Sequence, residues 1–338
     1  MLADAALLDS MIPGRDLCIV TDTTVAGLYL EKLRASLSGR RVSQVALPTG
    51  ERYKTLQTLG LVFDALIEAK QNRDTTILAL GGGVVGDIAG FAAACYQRGV
   101  AYAQVPTTLL AQVDSSVGGK TGVNHPAGKN LIGTFHQPIA VTSDTDTLAT
   151  LPDRELRAGL AEIIKYGCIW DLQLFDWLEL NIAKLISRDP EALAYAIFRS
   201  CDIKATVVAR DERENNLRAI LNFGHTFGHA IEAATHYDTY LHGEAVGLGM
   251  VMATDLSQRL GLLNGSDDER VRDLLARAGL PVDPPRIGVA RAFELMQMDK
   301  KVLAGTVRLV LLERLGRAVL SGDYDQAALN ATLAEYLA

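Results

Sequence analysis

Along the first 150 residues, short β-branched apolar runs alternate with segments whose apolar positions recur every three or four residues. Leu17 to Thr21, Val42 to Leu47, Thr75 to Leu80 and Ala101 to Val105 read as strands. Val25 to Leu37 and Leu56 to Lys70 read as helices, the first stopping near Gly39. This alternation predicts a parallel sheet covered by helices. Near Leu151-Pro152 the pattern changes. From there to about Ala278 it is helical with few β-runs, and Gly279-Leu-Pro281 reads as a helix stop. Val307 to Leu312 reads as a strand and Asp325 to Leu337 as a closing helix. The expected organisation is an α/β domain with a parallel sheet over 1–150 and a mainly α-helical domain over 151–338. No internal repeat or low-complexity tract interrupts it.

Composition narrows the function classes. At 338 residues the chain is long for a single core, in keeping with two domains. A formal charge of -7 argues against a nucleic-acid surface, where a basic stripe is expected. An anionic ligand must then be met by locally placed Lys and Arg. No apolar run reaches the length of a membrane span, and Met1-Leu-Ala-Asp4 lacks the basic start of a signal peptide. Cys18, Cys95, Cys168 and Cys201 are widely separated, mostly in apolar settings and without a C-x-x-C pair. Reduced buried thiols in a cytoplasmic protein are the expectation.

Four segments carry candidate chemistry. Gly81-Gly-Gly83-Val84-Val85-Gly86-Asp87 follows a β-run, opens a helix and fits G-x-G-x-x-G. Such glycines let backbone N–H groups approach a pyrophosphate at a helix N-terminus. The usual acidic residue about 20 positions on is missing, and Asp87 would repel a phosphate, so it suits a ribose or ring region. A nucleotide site of non-standard type is expected. Asp114-Ser-Ser-Val-Gly118-Gly119-Lys120-Thr121 resembles a P-loop, except that Asp114 stands where the first glycine belongs. A carboxylate there opposes a triphosphate. What remains is a Gly-Gly-Lys turn suited to one small anion, with Lys129-Asn130 adding to its polar supply.

Arg154 to Tyr166 is helical, with Leu156, Leu160, Ile163 and Ile164 as its buried stripe. Glu162 and Lys165, one turn apart, read on their own as a surface ion pair. In Leu221 to Glu244, His225 and His229 are four apart and share a helix face, and His242 arrives from a separate stretch. Two helical histidines near a surface is the competing reading. Thr226 occupies the position where H-E-x-x-H needs its glutamate, so the zincin motif is absent. If Glu162 supplies the carboxylate that two histidines lack, a His₂Glu set with an open position results, the catalytic zinc pattern. Arg218 and Asn222, spaced as one helical turn, stand just before His225.

In order and spacing these blocks closely resemble the 3-dehydroquinate synthase family. The match runs from about Thr49 to Gly305 through Gly50-Glu51-Arg52-Tyr53-Lys54, Gly81 to Asp87, Tyr96-Gln-Arg98-Gly, Pro106-Thr107-Thr108 and Asp114 to Lys120. It continues through Gly128-Lys129-Asn130, Glu162-Ile-Ile-Lys165, Asp211-Glu-Arg-Glu214, Leu221 to Glu232, Leu241-His242-Gly-Glu244 and Asp299-Lys300-Lys301. The resemblance implies a metal site of Glu162, His225 and His242 for Zn²⁺ or Co²⁺. It implies NAD⁺ over Gly83, Val84, Val85, Gly86 and Asp87. Asp22, Thr49, Gly50, Glu51, Arg52, Tyr53, Lys54, Thr107, Thr108, Lys120, Lys129 and Thr147-Leu148-Ala149-Thr150 would contribute to that site.

The resemblance further implies a small sugar-phosphate substrate. Its anionic groups would meet Lys120, Asn130, Lys204, Arg218 and Asn222, with His229 at the phosphate and Lys165 near the metal. Asp114 and Arg98 complete the implied catalytic set, Arg98 by reaching the neighbouring active site of a homodimer. The implied reaction turns 3-deoxy-D-arabino-heptulosonate 7-phosphate into 3-dehydroquinate and phosphate. The chain departs from the family by starting close to its first strand and by carrying Asn215-Asn216 where Thr-Gly is more usual. Rival readings are a metal- and NAD-dependent polyol dehydrogenase, another sugar-phosphate cyclase and a non-catalytic relic. The relic should have lost a metal ligand or a lysine, and none is missing.

Overall fold

A computed structural model describes the chain apart from Ala3, Asn215, Tyr237, 298–301 and 304–305. The Lys300-Lys301 pair and Asn215 therefore lie outside the described residues. The chain divides into two compact units, Met1–Leu151 and Pro152–Ala338.

The N-terminal unit is built on a five-stranded sheet that runs, edge to edge, through β2 (Arg41–Leu47), β1 (Asp16–Asp22), β3 (Thr76–Gly81), β4 (Ala101–Pro106) and β7 (Ala140–Val141), every neighbouring pair parallel. β1 and β3 are buried almost end to end, which is why they read as unbroken apolar runs. Alternate residues feed two cores. Cys18, Val20, Ile77 and Ala79 pack with helices Leu56–Glu68 and Gly83–Cys95. Leu17, Ile19, Leu78 and Leu80 pack with Leu8, Leu30 and Leu33 on the other face. β2 alternates between exposed and half-buried positions, as suits an edge strand.

Three details differ from the sequence reading. The helix expected from Val25 starts at Thr23, where Asp22 caps it by accepting from the Thr24 and Val25 N–H groups, and it contains a π-turn at Ala26–Leu30. An unexpected antiparallel hairpin joins β5 (Lys120–His125) to β6 (Gly128–Phe135). Cys95 is exposed at the end of its helix, while Cys18 and Cys168 are buried.

In the C-terminal unit, helix His242–Arg259 is buried along most of its length and packs against helices Asp153–Ile169 and His225–Ala234. Helices Leu172–Ile186, Pro190–Arg210 and Asp267–Arg277 extend the bundle, and Gln326–Leu337 closes it. The strand expected over Val307 to Leu312 is two pieces. Leu309–Arg314 forms a hairpin with Arg317–Ser321, while Thr306–Val307 pairs with Val302–Leu303. Among the described residues, no helix is long and apolar enough to cross a membrane. The α/β unit with its parallel sheet and the mainly helical unit are the fold class the resemblance implies.

Candidate functional site

The C-terminal unit gathers Glu162, His225 and His242 so that one ligand atom from each lies within 4.8 Å of the others. Glu162 comes from the middle of helix Asp153–Ile169, His225 from the first position of His225–Ala234, and His242 from the first position of His242–Arg259. Backbone proximity makes this possible. A Cβ on Gly243 would overlap the Ala158 carbonyl oxygen, and one on Gly228 would lie 2.8 Å from the Ala245 carbonyl oxygen. Three helices thus meet where side chains would hold them apart.

Glu162 is 0% and Lys165 1% exposed, so the surface ion pair read from the sequence is instead a fully buried one, Lys165 Nζ against Glu162 Oε2. Burial follows from helix Asp153–Ile169 being covered around most of its circumference. The other oxygen, Oε1, accepts no hydrogen bond among the described residues and faces His225 Nε2 at 3.9 Å and His242 Nε2 at 4.0 Å. Tetrahedral ligation at zinc distances places donor atoms about 3.4 Å apart, so each carboxylate–imidazole pair needs to close by only about half an ångström on a zinc-sized ion.

The far side of each ring is also occupied. His225 Nδ1 lies 3.2 Å from the Phe223 carbonyl oxygen, and His242 Nδ1 lies 3.5 Å from Glu232 Oε2. A proton held on Nδ1 leaves the Nε2 lone pair free to ligate, the arrangement typical of histidine metal ligands. The donor set therefore fits a divalent ion. His229 lies beside it, its ring centroid 5.5 Å from that of His225 and 6.1 Å from that of His242.

Arg154 anchors the loop before His242. Its Nε and Nη2 donate to the two oxygens of Glu244 at 2.7 Å each, and Nη2 also donates to the Thr239 carbonyl. Glu244 in turn accepts the Leu241 N–H. Burial pulls the Glu244 carboxyl upward, but Arg154 and that N–H outweigh it and hold it below the ordinary range.

Lys204 is buried on Pro190–Arg210, and Arg218 is buried with its Nη1 donating to the Glu212 carbonyl at 2.5 Å. Asn222 Nδ2 donates to Glu214 Oε1 at 2.6 Å. Arg218 and Asn222 do not share a face as the one-turn spacing suggested. The segment Leu217–Asn222 is a 3₁₀ turn, where a separation of four residues rotates the side chains apart by roughly 120°.

The N-terminal unit holds a second polar cluster at the carboxyl ends of its strands. Asp22 ends β1 and accepts from Thr49 Oγ1 at 2.9 Å. Gly83 opens the helix after β3, and a Cβ on Gly86 would lie 2.6 Å from Gln104 Oε1 on β4, so Gly86 permits close helix–sheet packing. Val85 is buried and Val84 half-buried on that helix. Lys54 Nζ contacts Asp87 Oδ2 and Asn130 Oδ1, each at 2.5 Å. Asp87 thus faces a lysine. Glu51, in the turn Glu51–Tyr53 after Gly50, accepts from Asn124 Nδ2, and Arg52 lies over the Tyr53 ring.

The β5–β6 hairpin corrects one grouping. Lys120 pairs with Phe135 at the open end, while Lys129 and Asn130 lie near the His125–Gly128 turn. They are therefore roughly 15 Å apart along the strands and do not share one anion turn. Thr107 donates its N–H to the Gly81 carbonyl, and Thr108 Oγ1 accepts from Ala111 N–H. Asp114 lies in a π-turn, Ala111–Ser115. Thr147, Leu148, Ala149 and Thr150 form a 3₁₀ turn tied to Tyr29, whose hydroxyl lies 3.1 Å from the Thr147 carbonyl oxygen. Arg98 sits in a turn where Gln97, Arg98 and Gly99 all have positive φ, at 50°, 66° and 125°.

Sequence reasoning assigned no role to Glu232, Arg154 or Tyr29. Glu232 carried a signal, because it follows His225 and His229 at helical positions i, i+4 and i+7. Arg154 and Tyr29 carried none.

A parallel-sheet unit with a glycine-rich turn, together with a helical unit bearing a His₂Glu cluster, defines a class of proteins with a nucleotide-type fold and a cation-type donor set. Residues 44–158 match the model of the 3-dehydroquinate synthase N-terminal domain, and residues 159–302 that of the C-terminal domain. The 3-dehydroquinate synthase of Nitrosococcus oceani is 57% identical over 334 residues, covering 98% of this chain and 93% of that protein. The chain belongs to the 3-dehydroquinate synthase family. Among solved structures, 2-epi-5-epi-valiolone synthase from Streptomyces hygroscopicus subsp. jinggangensis, with NAD⁺ and Zn²⁺ bound, superimposes with a TM-score of 0.91 at 34% identity, covering 99% of this chain and 94% of that one. A 2-deoxy-scyllo-inosose synthase complexed with carbaglucose-6-phosphate, NAD⁺ and Co²⁺ gives 0.87 at 28% identity, covering 98% and 95%.

Proposed function

We propose that this chain is a carbon–oxygen lyase that converts 3-deoxy-D-arabino-heptulosonate 7-phosphate to 3-dehydroquinate and phosphate, using NAD⁺ and Zn²⁺ or Co²⁺. The observation that carries this reading is the convergence of Glu162, His225 and His242, with two imidazole nitrogens facing one buried carboxylate oxygen at 3.9 and 4.0 Å. When bound, the ion supplies Lewis acidity at adjacent hydroxyls and NAD⁺ a reversible hydride acceptor at C5.

The chain's own residues bind and orient. Glu162, His225 and His242 hold the ion. Lys165 balances the Glu162 charge and offers its ammonium to a substrate hydroxyl or carboxylate. Arg218 and Asn222 take the remaining polar groups of the sugar acid. His229 and Lys204 hold the phosphate so that it is oriented to leave and to take up the C6 proton, while Lys120 and Asn130 offer separate anion-binding groups in the N-terminal unit. Asp114 belongs to the same catalytic set. In the N-terminal unit Asp22, Thr49, Gly50 to Lys54, Gly83 to Asp87, Thr107, Thr108, Lys120, Lys129 and Thr147 to Thr150 take NAD⁺. The reading includes a cytoplasmic homodimer in the shikimate route to aromatic amino acids, with Arg98 serving the partner's site.

The test follows phosphate and NADH together, with the sugar acid phosphate as substrate. Catalytic phosphate release that needs NAD⁺, stops with a chelator and accumulates no NADH is the expected result. NADH rising one-for-one with substrate consumed would point to a polyol dehydrogenase. No turnover here, with turnover of sedoheptulose 7-phosphate, would point to another sugar-phosphate cyclase.

A further inference from the structure

Both histidines facing Glu162 have a partner on Nδ1, but the two partners differ in kind. For His225 it is a backbone carbonyl, fixed by the fold. For His242 it is a carboxylate side chain, Glu232. His242 is also the more exposed of the two rings, its side chain 35% exposed against 12% for His225, so fewer packing contacts fix its orientation. Glu232 itself is 2% exposed on the inner face of helix His225–Ala234. A carboxylate buried to that degree is costly to desolvate unless it is paired.

We propose that Glu232 is a positioning residue of the metal site, accepting a hydrogen bond from His242 Nδ1–H and turning the Nε2 lone pair toward the ion. The inference rests on the metal reading of Glu162, His225 and His242. At 3.5 Å the contact stands at the outer limit of a hydrogen bond, and a shift of about half an ångström brings it to ordinary length. The carboxylate does three things at once. It fixes the tautomer, it limits rotation of the ring, and it raises the basicity of the ligating nitrogen. Its negative charge also offsets part of the charge a divalent ion brings beside Lys165.

Zinc affinity, measured by competition with a chromophoric chelator, tests this on the full-length protein carrying Glu232→Ala or Glu232→Gln. The visible spectrum of the Co²⁺-substituted protein reports the ligand set in parallel. Glu232→Ala should weaken zinc binding by about 10- to 100-fold with the Co²⁺ spectrum still that of the wild-type ligand set. Glu232→Gln, which keeps the shape and an acceptor oxygen, should recover part of that loss, and it decides the matter should the alanine variant fail to fold. Affinity within twofold of wild type in Glu232→Gln and Glu232→Ala alike overturns the proposal. So does complete loss of stoichiometric binding equal to that of Glu162→Gln, which would make Glu232 a ligand. If the wild-type protein itself binds no zinc, the metal reading falls and this inference with it.

Discussion

The two units present their polar groups in opposite ways. In the N-terminal unit they stand on turns at the ends of buried strands. Asp22 accepts from Thr49 and Glu51 accepts from Asn124, with Thr49 and Glu51 exposed, Asn124 half-buried and Asp22 at the buried end of its strand. In the C-terminal unit they stand inside helices, and Glu162, Lys165, Lys204 and Arg218 are all buried. A strand end offers backbone groups and small side chains to a ligand at little cost in desolvation. A helix interior must desolvate its charges, so each one needs a partner held in place. The first arrangement suits a long ligand met at many weak points. The second suits a small ion and a compact anion met at a few strong ones.

The largest effect should come from removing Glu162, which tests whether the helical cluster works as a unit. Glu162→Ala should abolish stoichiometric zinc and, by leaving Lys165 buried without its carboxylate, lower stability by about 3–5 kcal/mol. Metal analysis and denaturant unfolding check both. Full zinc occupancy would break the contrast between the units. Next in size is Gly243→Ala, whose methyl meets the Ala158 carbonyl. It should cost about 1–3 kcal/mol and weaken zinc binding although Gly243 contributes no ligand atom. A melting curve beside a zinc titration separates those outcomes.

Lys54→Met probes the other region. It removes the contacts to Asp87 and Asn130, so NAD⁺ binding should weaken by about tenfold while zinc content stays unchanged. A parallel fall in zinc would show that the two clusters are not independent. The smallest effect concerns Glu155, whose carboxyl is raised above 4.5 chiefly by burial, with Arg154 opposing and Glu244 adding to the rise. A carboxyl raised on folding stabilises most when protonated, and that contribution is lost as pH rises through its folded value. Glu155→Gln should therefore match wild type near pH 4 and gain about a few tenths of a kcal/mol near pH 7, after allowing for solvent screening. Unfolding curves at the two pH values decide it.

Much of the sheet was legible because β1 and β3 are covered on both faces and carry unbroken apolar runs. The hairpin Lys120–Phe135 was not, because its strands are rich in Gly, Lys, Asn and His and show neither period clearly. The histidine spacing was legible from helical geometry alone. The burial of Glu162 was not, since helix Asp153–Ile169 carries polar residues at positions that only contact with two other helices covers. The 3₁₀ form of Leu217–Asn222 likewise escaped a reading that assumed α-helical turns. Glu232 could be seen on the right face but not its partner, which arrives from another helix.

The crowding at Gly228, Gly243 and Gly249 has a consequence for mutational tolerance. A side chain on Gly249 would overlap the Gly224 carbonyl oxygen, just as one on Gly243 would overlap that of Ala158. In a saturation library selected for growth, these glycines should be as intolerant as the histidines, though none of them carries a donor side chain. A map of intolerant positions would therefore outline the helix crossing as sharply as the chemistry.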